Sequence, residues 1–169
     1  MTRPTDPTGD SVLDQLASLG VDYEVMPCDP ALAATAAFCA AYGVAPEDSA
    51  NAILVAGKAE PRSYAVCLLL ATCRLDVNGS VRRRLGARKA SFAVFDETED
   101  VTGMTIGGVT PFGLPQPLLL WIDGAVMERE TVVVGGGSRS RKLRLSAAGL
   151  LAIPGAEVVD GLARPVLID

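Results

Sequence analysis

The chain has 169 residues, 49% of them apolar and 21% charged, with a formal net charge of −5. That length carries a full core in one domain, the composition excludes the disordered class, and the acidic balance argues against binding nucleic acid by bulk charge alone. There are 0 histidines, which excludes imidazole bases, histidine metal ligands and Ser-His-Asp triads. Cys28, Cys39, Cys67 and Cys73 show no CxxC spacing. They read as reduced thiols in a cytoplasmic protein, with no metal and no cofactor expected. The start, MTRPTDPTGD, is polar and lacks an apolar h-region, and no apolar run reaches the roughly 20 residues of a membrane helix, so no membrane partner is expected.

Residues 1–9 read as a flexible tail, and residues 10–169 as one domain. Asp10 or Ser11 caps a helix carrying Val12, Leu13, Leu16 and Leu19 and ending at Gly20. Residues 21–26 alternate as a strand that Pro27 stops. Asp29 and Pro30 open an Ala-rich helix to Tyr42, with Gly43 as its C-terminal signal. Residues 52–56 and 63–70 are apolar runs, and the intervening Gly57-Lys58-Ala59-Glu60-Pro61-Arg62 predicts an antiparallel hairpin. Asn78 or Ser80 caps a short basic helix ended by Gly86. Residues 91–95 predict a short strand and 96–101 a short acidic helix.

Residues 102–117 contain Gly103, Gly107, Gly108 and Gly113 with Pro111, Pro115 and Pro117, a composition incompatible with a regular helix or central strand. Strands follow at 118–122, 131–134 and 141–145. The second and third are separated by a loop at Gly135-Gly136-Gly137-Ser138. Ser146 caps a helix over 147–153, and 157–159 adds a last strand. The pattern predicts an α+β fold with a mixed, largely antiparallel, barrel-like central sheet surrounded by helices.

The glycine loop is the chemically suggestive segment. A Gly-Gly pair lets backbone approach a ligand, and the N–H groups of Gly107 and Gly108 can face an oxyanion. Pro111 stiffens the loop. Thr110, inside it, and Thr72 and Asp76, after the second central strand, are candidates for lining a cleft.

The string TGMTIGGVTPFGLP, residues 102–115, resembles the Gly-Gly-x-x-Pro-x-Gly loop of the YbaK/prolyl-tRNA-synthetase-associated family. The likeness extends over roughly residues 20–155. It takes in, in order, an Ala-rich helix ending in YGV, the acidic turn PEDSA, the strands NAILVAGK and YAVCLLLA, the basic RRRLGARKAS, then LLLWID and LRLSAAGLLAI. The resemblance implies an editing-domain fold and hydrolysis of the ester joining a small wrong amino acid to the terminal adenosine of a tRNA. Its partners would be the aminoacyl-tRNA acceptor end and a synthetase. It implies Asn51, Gly107 and Gly108 as catalytic positions, with Thr72, Gly103, Thr110, Pro111 and Gly113 around the substrate.

One departure stands out. Family members carry a lysine at the start of the strand after the acidic turn; here that position is Asn51, which brings hydrogen-bond donors but no full charge. Lys58 lies near the hairpin, seven residues on. A lysine-less domain that binds aminoacyl-tRNA or a synthetase without hydrolysis is the alternative, and a small-molecule pocket a third. Two basic runs, Arg82, Arg83, Arg84 with Arg88 and Lys89, and Arg139, Arg141, Lys142 with Arg144, are candidate contacts for acceptor-stem phosphates on the strength of the resemblance.

Overall fold

A computed structural model describes residues 10–115 and 118–166; the expected tail at 1–9 and Pro117 lie outside the described residues. Helix α1 (Ser11–Leu19) is capped by the Asp10 carboxylate, which accepts from the N–H groups of Val12 and Leu13, and closed by Gly20 at φ 68°. Strand β1 (Tyr23–Pro27) follows. The single helix expected from Asp29 to Tyr42 is broken. A 3-10 turn (Pro30–Leu32) is separated by Ala34, extended at ψ 137°, from α2 (Thr35–Tyr42). Ala33 is buried with Phe38, Val44 and Val133, so tertiary packing overrides the helical preference of the alanines.

The hairpin forms as expected, from β2 (Ala50–Gly57) and β3 (Ser63–Leu70), in a register that sets Asn51 opposite Leu69. Strand β4 (Cys73–Leu75) leads to a π-turn (Val77–Val81) and α3 (Arg82–Leu85). The cap there is Asp76, which accepts from Gly79 and Ser80 N–H, rather than Asn78 or Ser80. Strand β5 (Ala90–Phe92) is shorter than expected because Phe95 already opens α4 (Phe95–Thr102). Then come β6 (Leu119–Asp123), β7 (Thr131–Gly135) and β8 (Arg141–Ser146). The expected terminal helix is a 3-10 segment (Ala147–Ala152) with no side-chain cap from Ser146. Strands β9 (Ala156–Val159) and β10 (Ala163–Pro165) close the described chain.

The strands form a five-stranded sheet, β5-β2-β3-β6-β9, a three-stranded sheet, β1-β8-β7, and a ribbon of β10 with β4 that the sequence pattern did not signal. Pairing is antiparallel except for β3–β6 and β6–β9. The expected mixed, largely antiparallel sheet is present, but among the described residues no closed barrel forms. The two larger sheets are joined by a parallel bridge between Ser49 and Val133. The main core lies between them, where Leu54, Val66 and Leu68 meet Val132, Leu143 and Leu145. Strand alternation sends Val55, Cys67 and Leu69 into a second cluster on the opposite face. In the same way Val133 turns from its neighbours Val132 and Val134 toward Phe38 and Cys39 of α2. Each fully buried Leu or Val contributes about 1.5–3 kcal/mol.

Candidate active site

Strand β2 is paired with β3 along its whole length, but its other edge meets β5 only from Val55 to Gly57. From Ala50 to Ile53 that edge carries no strand, and a cavity of about 280 Å³ lies along it. Its walls include Thr35, Asn51, Ile53, Gly107, Arg139 and Lys142, drawn from α2, β2, the glycine loop, the turn before β8 and β8 itself. Small residues, Ala33, Ala34, Ala50 and Ala52, form much of the remaining wall. A second, more apolar cavity of about 280 Å³ adjoins it across Ile53, Ile106 and Val109, and reaches Phe92 and Thr98.

The glycine loop is held by a second glycine segment. Gly137 N–H donates to the Gly108 carbonyl at 2.7 Å. A Cβ on Gly108 would stand 2.6 Å from the Ser138 carbonyl carbon, and one on Gly135 would overlap the Val109 carbonyl oxygen. The two glycine-rich segments therefore mesh because neither carries side chains at the contact. Gly107 has φ 95° and accepts from Lys142 Nζ through its carbonyl at 3.2 Å. Among the described residues no acceptor is bonded to its N–H. The Gly108 N–H, by contrast, donates to Thr105 O at 2.9 Å. It is committed within the loop, so of the two N–H groups singled out in the sequence that of Gly107 alone has no acceptor among the described residues.

Opposite the loop, the Thr35 hydroxyl donates to Asn51 Oδ1. This occupies the acceptor of the amide and leaves its NH₂ donors for the cavity. The break before α2 is what brings Thr35 to β2. Arg139 spans the rim: Nε and Nη2 donate to Pro30 O at 3.2 and 3.0 Å, and Nη1 to Ile106 O at 3.0 Å. Lys142, a candidate phosphate contact in the sequence, is 7% exposed. Its ammonium lies 5.5 Å from the Phe38 ring centroid. Burial first, and the nearby Arg139 charge second among the lowering influences, hold that ammonium below the ordinary lysine range. No lining residue of the cavity is acidic, so a protein of net charge −5 presents a locally positive pocket.

The other sequence-derived candidates lie elsewhere. Gly103 is the C-cap of α4 at φ 74°. Gly113 N–H donates to Gln15 Oε1 of α1 at 2.6 Å. Pro111 and Thr110 are buried beneath the loop, and the Thr110 hydroxyl has no hydrogen-bond partner. Thr72 sits between β3 and β4, where its carbonyl accepts from Val166 N–H at 2.9 Å. Asp76 is the cap described above and faces Arg164 at 3.6 Å. Lys58 is exposed at the hairpin end, its N–H bonded to Lys89 O at 2.9 Å.

Several arginines expected to meet phosphate are engaged internally. Arg82 donates to Asn78 O and Ala87 O. Arg84 pairs with Glu157 at 2.7 Å and lies over Trp121. Arg141 pairs with Asp10 at 2.7 Å. Arg83 is exposed. Thr35 and Ile106 are lining residues that sequence reasoning missed, and Lys142, named there as a phosphate contact, lines the cavity instead. The alternation Lys142-Leu143-Arg144-Leu145 does put Lys142 on the face opposite Leu143, but nothing local says that α2 covers that face.

Among the described residues no group of three or more His, Cys, Asp or Glu side chains is placed to hold a metal ion. No helix among them is long and apolar enough to cross a membrane.

Fold and site together define an α+β domain with a small positive cavity lined on one side by the glycine loop. The chain belongs to the aminoacyl-tRNA editing domain family, whose match spans residues 29–153. It is similar to a crystal structure of a proposed trans-editing enzyme for prolyl tRNA synthetase, with 25% identity and TM-score 0.78 over 95% of this chain and 99% of that one. A crystal structure of the hypothetical protein APE2540 shares the fold at 22% identity and TM-score 0.81, over 92% of this chain and 100% of that one. Editing of aminoacyl-tRNA is the activity that this family defines.

Proposed function

We propose that the protein is a cytoplasmic trans-acting deacylase that hydrolyses the ester between a small wrong amino acid and the 3′ end of a tRNA of the tRNA-Pro type. The observation that carries the reading is that Asn51, held by Thr35, and Gly107, whose N–H bonds no acceptor among the described residues, line one cavity. The Asn51 NH₂ orients the aminoacyl carbonyl, and the Gly107 N–H meets the oxygen on which charge develops when water attacks. With no histidine in the chain, a ribose hydroxyl of the terminal adenosine assists the water. Positioning supplies much of the remaining acceleration, because an aminoacyl ester is intrinsically labile. The Ala33, Ala34, Ala50 and Ala52 walls favour a short aminoacyl side chain. The positive rim at Arg139, with exposed Arg83 farther off, suits the phosphates of an acceptor end. A synthetase that produces the mischarged tRNA is the natural second partner.

The test is a deacylation panel with purified protein and Ala-, Ser- and Cys-tRNA(Pro), with correctly charged tRNAs as controls. Release of a small amino acid above the spontaneous rate is the expected result. No release from any charged tRNA, combined with salt-dependent tRNA binding, establishes the non-hydrolytic module instead.

A further inference from the structure

Lys142 is the group in the cavity that the deacylase reading leaves unused and that is most demanding to place. It is 7% exposed. Among the described residues no carboxylate lies within ion-pair distance of its ammonium. A buried cation without an anion is destabilising unless something else solvates it. Two partners do so in part: Gly107 O at 3.2 Å and the face of Phe38. An ammonium has three donors, so one N–H is fixed on the loop and others remain for the cavity that Lys142 lines with Asn51. The contact also ties the charge to Gly107, the residue whose N–H is open.

We propose that Lys142 is a catalytic residue of this site: its ammonium enters from β8 and binds the ester carbonyl oxygen as negative charge gathers there, supplying the charge that Asn51 lacks. The proposal rests on the deacylase reading. Water oxygen bonds to the carbonyl carbon, and the resulting oxyanion lies between the Lys142 ammonium and the Gly107 N–H. The C–O bond to the ribose then breaks, and the ribose oxygen takes up one proton of the attacking water. The amino acid leaves as its carboxylate, with the other proton going to solvent. Lys142 keeps its protons throughout. Transposing the charge from β2 to β8 works because both strands border the same cavity and the Gly107 carbonyl holds the ammonium at one spot.

The experiment measures single-turnover deacylation of Ala-tRNA(Pro), or whichever charged tRNA the wild-type protein hydrolyses best, for Lys142→Met, Lys142→Arg and the double variant Asn51→Lys/Lys142→Met. Melting temperatures are recorded alongside. Removal of one oxyanion donor lowers the rate by roughly 10²–10³-fold, and Lys142→Met is expected in that range with the half-saturating protein concentration changed less than threefold. The double variant is expected to regain at least tenfold over Lys142→Met.

Wild-type turnover is expected to fall at alkaline pH as the ammonium deprotonates, and Lys142→Arg is expected to abolish that fall. The groups facing the ammonium are Cys28 at the end of β1, Cys39 of α2 and Arg139. Cys28 and Cys39 remain in the Arg variant, so an alkaline fall that persists there does not come from residue 142 and overturns the assignment. Turnover in Lys142→Met within twofold of wild type overturns this proposal alone. Equal losses in Met and Arg variants with no recovery in the double variant also overturn it, as a structural role. Wild-type protein that hydrolyses no aminoacyl-tRNA overturns the deacylase reading first and this proposal with it.

Discussion

The contact between the two glycine-rich segments gives a sharp quantitative prediction at Gly135. Gly135→Ala adds one methyl group that overlaps Val109 O, stands 3.0 Å from the Val109 carbonyl carbon and 3.2 Å from Gly108 O. The nearest atoms are backbone, so no side chain can swing aside. Carbon–oxygen contacts settle at about 3.3–3.6 Å, so the loop must retreat by about 1 Å. That retreat breaks the 2.7 Å bond from Gly137 N–H to Gly108 O and draws Gly107 O away from Lys142. Overpacking costs about 1–3 kcal/mol and the lost hydrogen bond about 1 kcal/mol. The expected total of about 3 kcal/mol lowers the melting temperature of a chain this size by roughly 6–12 °C.

Gly86→Ala is the control without a clash. Gly86, unlike Gly135, has a positive φ, 67°, and a Cβ there meets nothing within 4 Å. It pays only the left-handed conformation, about 1 kcal/mol or roughly 2–4 °C. Both variants are measured by thermal circular dichroism. A Gly135→Ala protein that melts no lower than Gly86→Ala refutes the idea that the loop is locked by glycine-on-glycine contact. A displacement of about 1 Å at Gly107 should also cut deacylation about 10²-fold.

Other outcomes follow from single contacts. Thr35→Val removes the donor to Asn51 Oδ1 and should lower deacylation about tenfold, equivalent to roughly 1.4 kcal/mol of lost orientation. Thr35→Ser should keep most of the rate, and equal loss in both variants would show that Thr35 acts only by packing. The Lys142 ammonium titrates below its unfolded value, so between the two the unfolded chain binds more protons and stability rises with pH through that window. Lys142→Met lacks this rise, so the stability difference between it and wild type should shift in favour of wild type from pH 7 toward pH 10.5; a pH-independent difference in urea melts contradicts the burial argument. Burial pushes the Cys67 thiol up to about 12, so at pH 8 iodoacetamide should label the partly exposed Cys73 first and leave Cys67 unmodified until the protein unfolds.

Local signals in the chain determined much of what is seen. Asp10 and Gly20 bound α1 because capping and a left-handed exit depend on near neighbours alone. The β2–β3 hairpin was legible from two apolar runs around a turn, and residues 102–115 from the clash of glycine and proline with regular structure. The order of those segments carried the family resemblance, and with it the candidacy of Asn51 and Gly107. The β4–β10 ribbon was not legible, because three-residue strands far apart in sequence have no periodicity of their own.

The composition of the site was decided in three dimensions. The split of the Ala-rich helix depends on burying Ala33 beside Val133, and that split brings Thr35 to Asn51. Gly108 N–H was withdrawn from the site by Thr105, and Arg141 by Asp10. Lys142 reads in the chain as one cation in a basic run, yet it faces inward, its ammonium over Phe38 of α2. Short-range propensity depends on residues a few positions apart. The environment of a charge depends on what long-range packing sets against it, and that is why the pocket's positive interior emerged only with the tertiary fold.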